Sequence, residues 1–369
     1  MRVTEVNLTD SGGAFSLIYA IQNSLYSRGK TDVFFDYFSM GKFEKKNVIE
    51  EIEKMGGKIH SADLRHNRIL GFIRLPRLFY KYCKENNVEV VHIHSDSAFI
   101  LQIYSIPAKL AGVPNIIAHS HCSGMNGDYR IIKKMVHVIL RPFVGFSANV
   151  FLSCSDLATE WLYKNELQSK AIFLKNGVDI EKFKFSQVKR IAYRNELGLK
   201  NETIALGVVG DMGFQKNPLF ICDVMKILEN KYKLFFVGDG PCKKDVEEYV
   251  KNNKLEDKIV FLGRRNVSDI LNALDVFVMP SKFEGLPVSG VEAQTNGLPC
   301  VFSTKITKQV GILNSSVFES IDSVEDWSKA IKSLKINTNE RCYASEIVAK
   351  AGFDIRDTAD HLYKIYKEL

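Results

Sequence analysis

Short apolar runs alternate along this chain with stretches in which apolar residues recur every third or fourth position. Val3 to Leu8, Asp32 to Phe38, Val88 to His94, Asn115 to His119, Val150 to Ser153 and Ile172 to Leu174 read as strands, with helical spacing between most of them. Such a βαβ series predicts a parallel, doubly wound sheet with helices on its faces. After Asn176-Gly177-Val178-Asp179 the pattern starts again, with strands expected at Ile204 to Val209, Tyr232 to Val237, Lys258 to Leu262, Val276 to Met279 and Cys300 to Ser303. The expected α/β architecture is two such domains in tandem, residues 1–182 and 183–354, with a short hinge and a cleft between their strand ends. The run Ile355 to Leu369 carries Ala359, Leu362, Ile365 and Tyr366 on one helical face. That face is expected to cross back and complete the first domain, the alternative being to close the second.

At 369 residues the chain exceeds one ordinary core, and 46% apolar with 25% charged residues excludes a disordered chain. The net charge of +7 is scattered; it suits anionic substrates or an anionic membrane surface and argues for no nucleic-acid partner. No apolar run reaches the length of a membrane span, and Met1 leads at once into a strand pattern, so the expected location is the cytoplasm. Seven cysteines without a C-x-x-C pair fit a reducing compartment, with neither a disulfide framework nor a structural zinc site.

The chemistry concentrates in Pro280 to Pro299, PSKFEGLPVSGVEAQTNGLP, which follows the apolar strand DVFVM. Glu284 and Glu292 lie eight positions apart. If a helix starts at Pro287, Glu292 sits in its second turn and Glu284 in the loop ahead of it. The amides of Gly285 and Leu286 would then point from the helix start toward an anion such as phosphate. Two solvated helix charges are the usual explanation of a bare E-x7-E pair; position at the carboxyl end of a sheet, where open α/β folds bind ligands, favours a site.

Other candidates also fall at strand ends. Gly12-Gly13 opens the first helix, Gly238-Asp239-Gly240-Pro241 follows another strand and places proline at a helix start, and Gly210 to Pro218 (GDMGFQKNP) leaves the first strand of the second domain with Lys216 placed to neutralise a diphosphate. His92 and His94 alternate on one strand and His119 and His121 end the next. Packing with satisfied hydrogen bonds is the expected role of His92 and His94, and no metal site is expected because only Cys122 stands near to complete a ligand set. His121, ahead of the SGMNG loop, is better placed to meet a substrate. Residues 65–84 and 129–146 are basic and amphipathic, as in helices that lie on anionic lipid, although Pro76 should break or kink the first.

With EGLPVSGVEA after a strand, together with GDGP, QKNP, NGVD and the early glycine pair, the chain resembles the family 4 retaining glycosyltransferases of the GT-B fold, which has two Rossmann-like domains. AHSH after the VPN turn is similar to the branch that builds bacterial exopolysaccharide, capsule or lipopolysaccharide. The resemblance implies transfer of a hexose from a nucleotide-sugar, a UDP-sugar, to a glycan or polyprenyl-diphosphate-linked acceptor bound by the first domain. No cofactor and no metal are implied, and no D-x-D occurs. By position, Glu284 would hold the sugar, Glu292 the ribose and Lys216 the diphosphate. Gly210, Gly238, Gly240, Phe283, Gly285, Leu286 and Pro287 would line the donor site, with Gly12, Gly13 and His121 contributed by the first domain. Where the family has G-R, this chain has Gly210-Asp211, so a carboxylate replaces a phosphate-binding arginine. Asp211 must face away, or Arg264 or Arg265 substitute, or turnover weakens. A non-catalytic GT-B subunit and a GT-B sugar-nucleotide epimerase are the rival readings.

Overall fold

The computed structural model describes residues 1–64 and 68–369, and for residues 68–70 the backbone only. Residues 65–67 of the first basic segment therefore lie outside the described residues. The chain divides into two compact units, Met1–Asn176 with Ile355–Leu369, and Gly177–Asp354. The first boundary falls six residues before the expected one. Val178 explains the shift, because its amide binds Phe353 O at 2.9 Å and ties the segment to the end of the second unit.

The first unit is a parallel sheet of β1 (Arg2–Val6), β2 (Phe34–Ser39), β3 (Ile59–Ser61), β4 (Val90–Ser95), β5 (Asn115–Ser120), β6 (Val150–Ser153) and β7 (Ile172–Phe173), in the order β3-β2-β1-β4-β5-β6-β7. The second holds β8 (Ile204–Val209), β9 (Tyr232–Val237), β10 (Ile259–Gly263), β11 (Val276–Met279), β12 (Cys300–Ser303) and β13 (Ser316–Glu319), in the order β10-β9-β8-β11-β12-β13. β3 and β13 were not expected. Each is a short edge strand without a fully buried residue, so neither leaves an apolar run in the sequence.

The helix Ile355–Lys367 belongs to the first unit, where Ala359, Leu362, Ile365 and Tyr366 share a core with Phe35, Ile18 and Leu25. Its placement follows from the apolar stripe, which needs a surface already lined by β-branched and aromatic residues. The helix Arg68–Glu85 runs through Pro76 without ending. Leu75 and Phe79, 1% and 0% exposed on either side of the proline, hold both halves against one core and outweigh the lost hydrogen bond.

Candidate active site

In the second unit, β8 and β11 pair side by side, so the loops leaving their carboxyl ends are neighbours. Gly210 ends β8 at φ 130°, where a Cβ would stand 3.1 Å from Lys216 Cε; glycine lets the lysine side chain pass over the backbone. Lys216 Nζ then reaches Glu284 Oε1 at 2.8 Å. Gln215 Nε2 donates to Glu284 Oε2 at 2.9 Å and to Phe283 O at 3.1 Å, and the amide of Lys282 donates to Gln215 O at 2.8 Å. The two loops are thus stitched together through one buried carboxylate, 7% exposed. Lys216 and Glu284, expected to hold different parts of a ligand, hold each other here. Gln215 was missed, although it stands in the same QKNP run as Lys216.

Gly285, Leu286 and Pro287 are buried beside Glu284, and Phe283 is half-buried. The following helix spans Val288–Thr295, with Pro287 at its N-cap and no side-chain cap. Pro287 thus stands one residue before its expected place, with ψ 112° keeping it extended. The first amides of a helix have no partner within it and stand at its positive dipole end. Gln294 locks the helix from behind: its side chain donates to Val310 O at 2.6 Å and accepts from the amides of Ile312 and Leu313 at 2.8 and 3.0 Å. Glu292 is half-buried, and burial, opposed by the charges of Lys182 and Lys216, pushes its carboxyl up to about 7. Lys182 was also missed, since nothing in its local sequence ties it to Glu292.

Gly238 and Gly240 have a packing reason of their own. A Cβ on Gly238 would stand 2.1 Å from Gly210 O, and one on Gly240 2.5 Å from Met212 N, because the two turns are joined by Met212 N to Asp239 O and Cys242 N to Met212 O bonds, both 2.9 Å. Pro241 precedes the helix Lys243–Asn252 by two residues and does not open it. Asp211 is exposed, as are Arg264 and Arg265, and Arg265 lies 3.7 Å from Glu196.

In the first unit, Gly12 caps the helix Gly13–Ser27 at φ 91°. A Cβ at Gly12 or Gly13 would meet nothing within 4 Å, so packing does not demand glycine at either, and only Gly12 needs it for its backbone. The register of β4 and β5 sets His94 opposite His119. His92 Nε2 lies 3.0 Å from His119 Nδ1, and His94 Nδ1 2.8 Å from His121 Nε2. Beneath them is Glu5, fully buried on β1, with Oε2 2.6 Å from His94 Nε2 and 3.2 Å from His92 Nδ1, and Oε1 accepting from Tyr366 Oη at 2.8 Å. Its sequence signal, an acid between the valines of the strand RVTEV, went unread. His92, His94 and His119 offer nitrogens within 4.8 Å of one another, a spacing open to a metal ion, but the His–His hydrogen bonds already use nitrogens of that set.

Two parallel-sheet units, each with polar groups gathered at strand ends, have the architecture of the GT-B fold. Residues 189–350 match the family model of glycosyl transferases group 1. The chain is 26% identical over 366 residues to the putative glycosyltransferase EpsF of Bacillus subtilis, covering 96% of this chain and 93% of that one. It is 34% identical over 236 residues, 61% of this chain and 60% of the other, to the UDP-Gal:alpha-D-GlcNAc-diphosphoundecaprenol alpha-1,3-galactosyltransferase of Escherichia coli. Among solved structures, HepE of Anabaena in complex with UDP and glucose superposes with a TM-score of 0.77 at 16% identity over the whole of both chains, a likeness of fold.

Proposed function

We propose that this protein moves a hexose from a UDP-sugar to a glycan or polyprenyl-diphosphate-linked acceptor in cell-surface polysaccharide synthesis, with retention and without a metal ion. The observation that carries the reading is the Lys216–Glu284–Gln215 cluster beside the uncapped start of the Val288–Thr295 helix. A carboxylate suits sugar hydroxyls, and a lysine with helix amides suits a diphosphate. Relatives point the same way: one acts on a diphosphoundecaprenol-linked sugar, and a structural neighbour binds UDP and glucose.

On donor binding, Lys216 exchanges Glu284 for the diphosphate and Glu284 turns to the hydroxyls of the transferred sugar. Gly285 and Leu286 supply amides near the phosphates, and Glu292 takes the ribose hydroxyls. In the first unit Gly12 and Gly13 admit donor or acceptor, and His121 meets the reacting sugar. The bond from the anomeric carbon to the diphosphate oxygen breaks as the acceptor oxygen bonds to the same face, and the acceptor proton passes to the departing phosphate. Charge grows on the diphosphate, so positioned donors lower the barrier most. A thermal-shift screen of nucleotide sugars, followed by transfer assays in EDTA with the stabilising donor and a lipid-linked acceptor, tests the proposal. Product with the donor's anomeric configuration supports it. Binding without turnover replaces it with the non-catalytic subunit, and activity abolished by EDTA and restored by a divalent ion removes metal independence.

The same proposal places the protein on the inner face of an anionic membrane. The helix Arg130–Leu140 is pinned by His137, whose Nδ1 accepts from the Ala98 amide and whose Nε2 donates to Trp161 O, both at 3.0 Å. So held, it turns Ile131, Met135 and Ile139 outward at 79%, 60% and 64% exposure, among the exposed Arg130, Lys133 and Lys134. An outward apolar stripe flanked by cations fits an anionic lipid surface. Co-sedimentation with phosphatidylglycerol vesicles, lost on Ile131→Ser with Met135→Ser and absent with phosphatidylcholine, is the expected result; unchanged partition overturns it.

A further inference from the structure

Apart from His121, the buried cluster around Glu5 has no role in the proposed reaction, and its hydrogen bonds can be followed proton by proton. Tyr366 Oη donates to Glu5 Oε1 at 2.8 Å. Glu5 Oε2 has two ring nitrogens beside it, His94 Nε2 at 2.6 Å and His92 Nδ1 at 3.2 Å. An ionised carboxylate only accepts, so both nitrogens carry hydrogen. A neutral His94 with its hydrogen on Nε2 has a bare lone pair on Nδ1, and that lone pair accepts from His121 Nε2 at 2.8 Å. His121 is thereby the Nε2–H tautomer, and its Nδ1 carries the lone pair. Through the second branch, His92 Nδ1 also lies 2.6 Å from Tyr366 Oη, its Nε2 accepts from His119 Nδ1 at 3.0 Å, and His119 Nε2 is left buried with no partner among the described residues. Burial and the neighbouring rings hold His94 down to about 4 and His121 well below its ordinary value, in agreement with neutral rings.

We infer that Glu5, anchored by Tyr366 of the C-terminal helix, is a positioning residue that acts through His94 to fix the ring and tautomer of His121, so that His121 presents Nδ1 as a hydrogen-bond acceptor to a sugar hydroxyl at the carboxyl end of β5. The inference about the sugar rests on the transferase reading; the inference about the tautomer does not. It gives the crossing of the C-terminal helix onto the first unit a functional consequence, since that helix brings the phenol that orients Glu5.

The two parts separate experimentally. Long-range proton–nitrogen correlation spectra of the full chain labelled at histidine nitrogen read each ring's tautomer without any substrate. His121 is expected as Nε2–H at pH 7.5, shifting to a mixture in Glu5→Gln, whose amide can present either oxygen or NH2 to His94. A His121 ring in the Nδ1–H form, or one unmoved by Glu5→Gln, overturns the relay. Should Glu5→Gln not fold, Tyr366→Phe takes its place with a smaller change of the same kind, and no change overturns it. For the sugar contact, Glu5→Gln should lower kcat for UDP-sugar transfer about tenfold while binding of UDP alone, measured by calorimetry, stays unchanged. If His121→Ala transfers normally, the sugar contact fails and the tautomer result stands by itself; if UDP does not bind the wild type, the transferase reading fails instead.

Discussion

Glu5 and Glu284 are both buried carboxylates, one on a central strand and the other at a strand end, and the two units use them in opposite ways. Glu5 is fully buried and surrounded by donors that belong to the protein alone, Tyr366, His94 and His92. Glu284 is 7% exposed, and its partner Lys216 retains 18% of its side-chain surface. A saturated, dry carboxylate fixes geometry. A carboxylate paired with a long, partly wet lysine can exchange its partner for a ligand at modest cost, because the released ammonium has water or phosphate to meet. The Glu5 and Glu284 environments therefore separate a positioning acid from a binding acid, a distinction that residue type alone cannot make.

Substitution should break this comparison most visibly in stability. Glu5→Ala takes the acceptor from His94 Nε2–H and from the Tyr366 hydroxyl, which keeps only His92 Nδ1 at 2.6 Å, in a closed interior, and denaturant unfolding should show a loss of about 3–5 kcal/mol. Glu284→Ala leaves a lysine that can hydrate and should cost about 1 kcal/mol. Equal losses would show that both acids are structural.

Activity should order them the other way among variants that fold. Lys216→Ala and Glu284→Ala are expected to lower transfer by roughly 10²–10³, the usual cost of removing a positioned group that stabilises the transition state. Near-normal kcat in either variant removes that residue from the site.

pH then sharpens the contrast. His94, held to about 4 against an ordinary 6.5, binds fewer protons folded than unfolded, so its contribution to stability is lost as pH falls from 6.5 through 4. Glu5, held at about 2 against 4.5, adds a further loss below 4.5. Glu292, raised to about 7, binds more protons folded, so its contribution is present below 4.5 and is lost as pH rises through 7. Urea titrations across pH 4–8 should show the rising contribution vanish in His94→Gln and the falling one in Glu292→Gln. Parallel curves for all three proteins would contradict both assignments.

The smallest expected effect lies at Asp211. Because it is exposed, Asp211→Arg should tighten UDP binding by no more than a few-fold, in line with an exposed charge worth about 0–1 kcal/mol. A hundredfold gain would show that the carboxylate opposes the phosphates directly.

Several elements were legible before any coordinates. Ile204–Val209, Tyr232–Val237, Val276–Met279 and Cys300–Ser303 match the expected strands residue for residue, because buried parallel strands are continuous apolar runs between turn residues. The edge strands β3 and β13 were not legible, since pairing with one neighbour asks little of their side chains. Gly238 and Gly240 show how much a local signal leaves out: a glycine turn after a strand reads as room for a ligand, and the structure adds that it admits the backbone of Gly210 and Met212.

By itself, then, the sequence determined the two doubly wound sheets, the loop that carries Glu284 and the strand ends where Lys216 and His121 sit, because periodicity, turn chemistry and motif spacing are local properties. Only the tertiary structure decided that Lys216 and Glu284 pair, that Gln215 joins them, and that Tyr366 reaches back to Glu5, 361 positions away in the chain. Contacts of that kind are chosen by the register of neighbouring strands and the packing of a distant helix, and no local pattern records them.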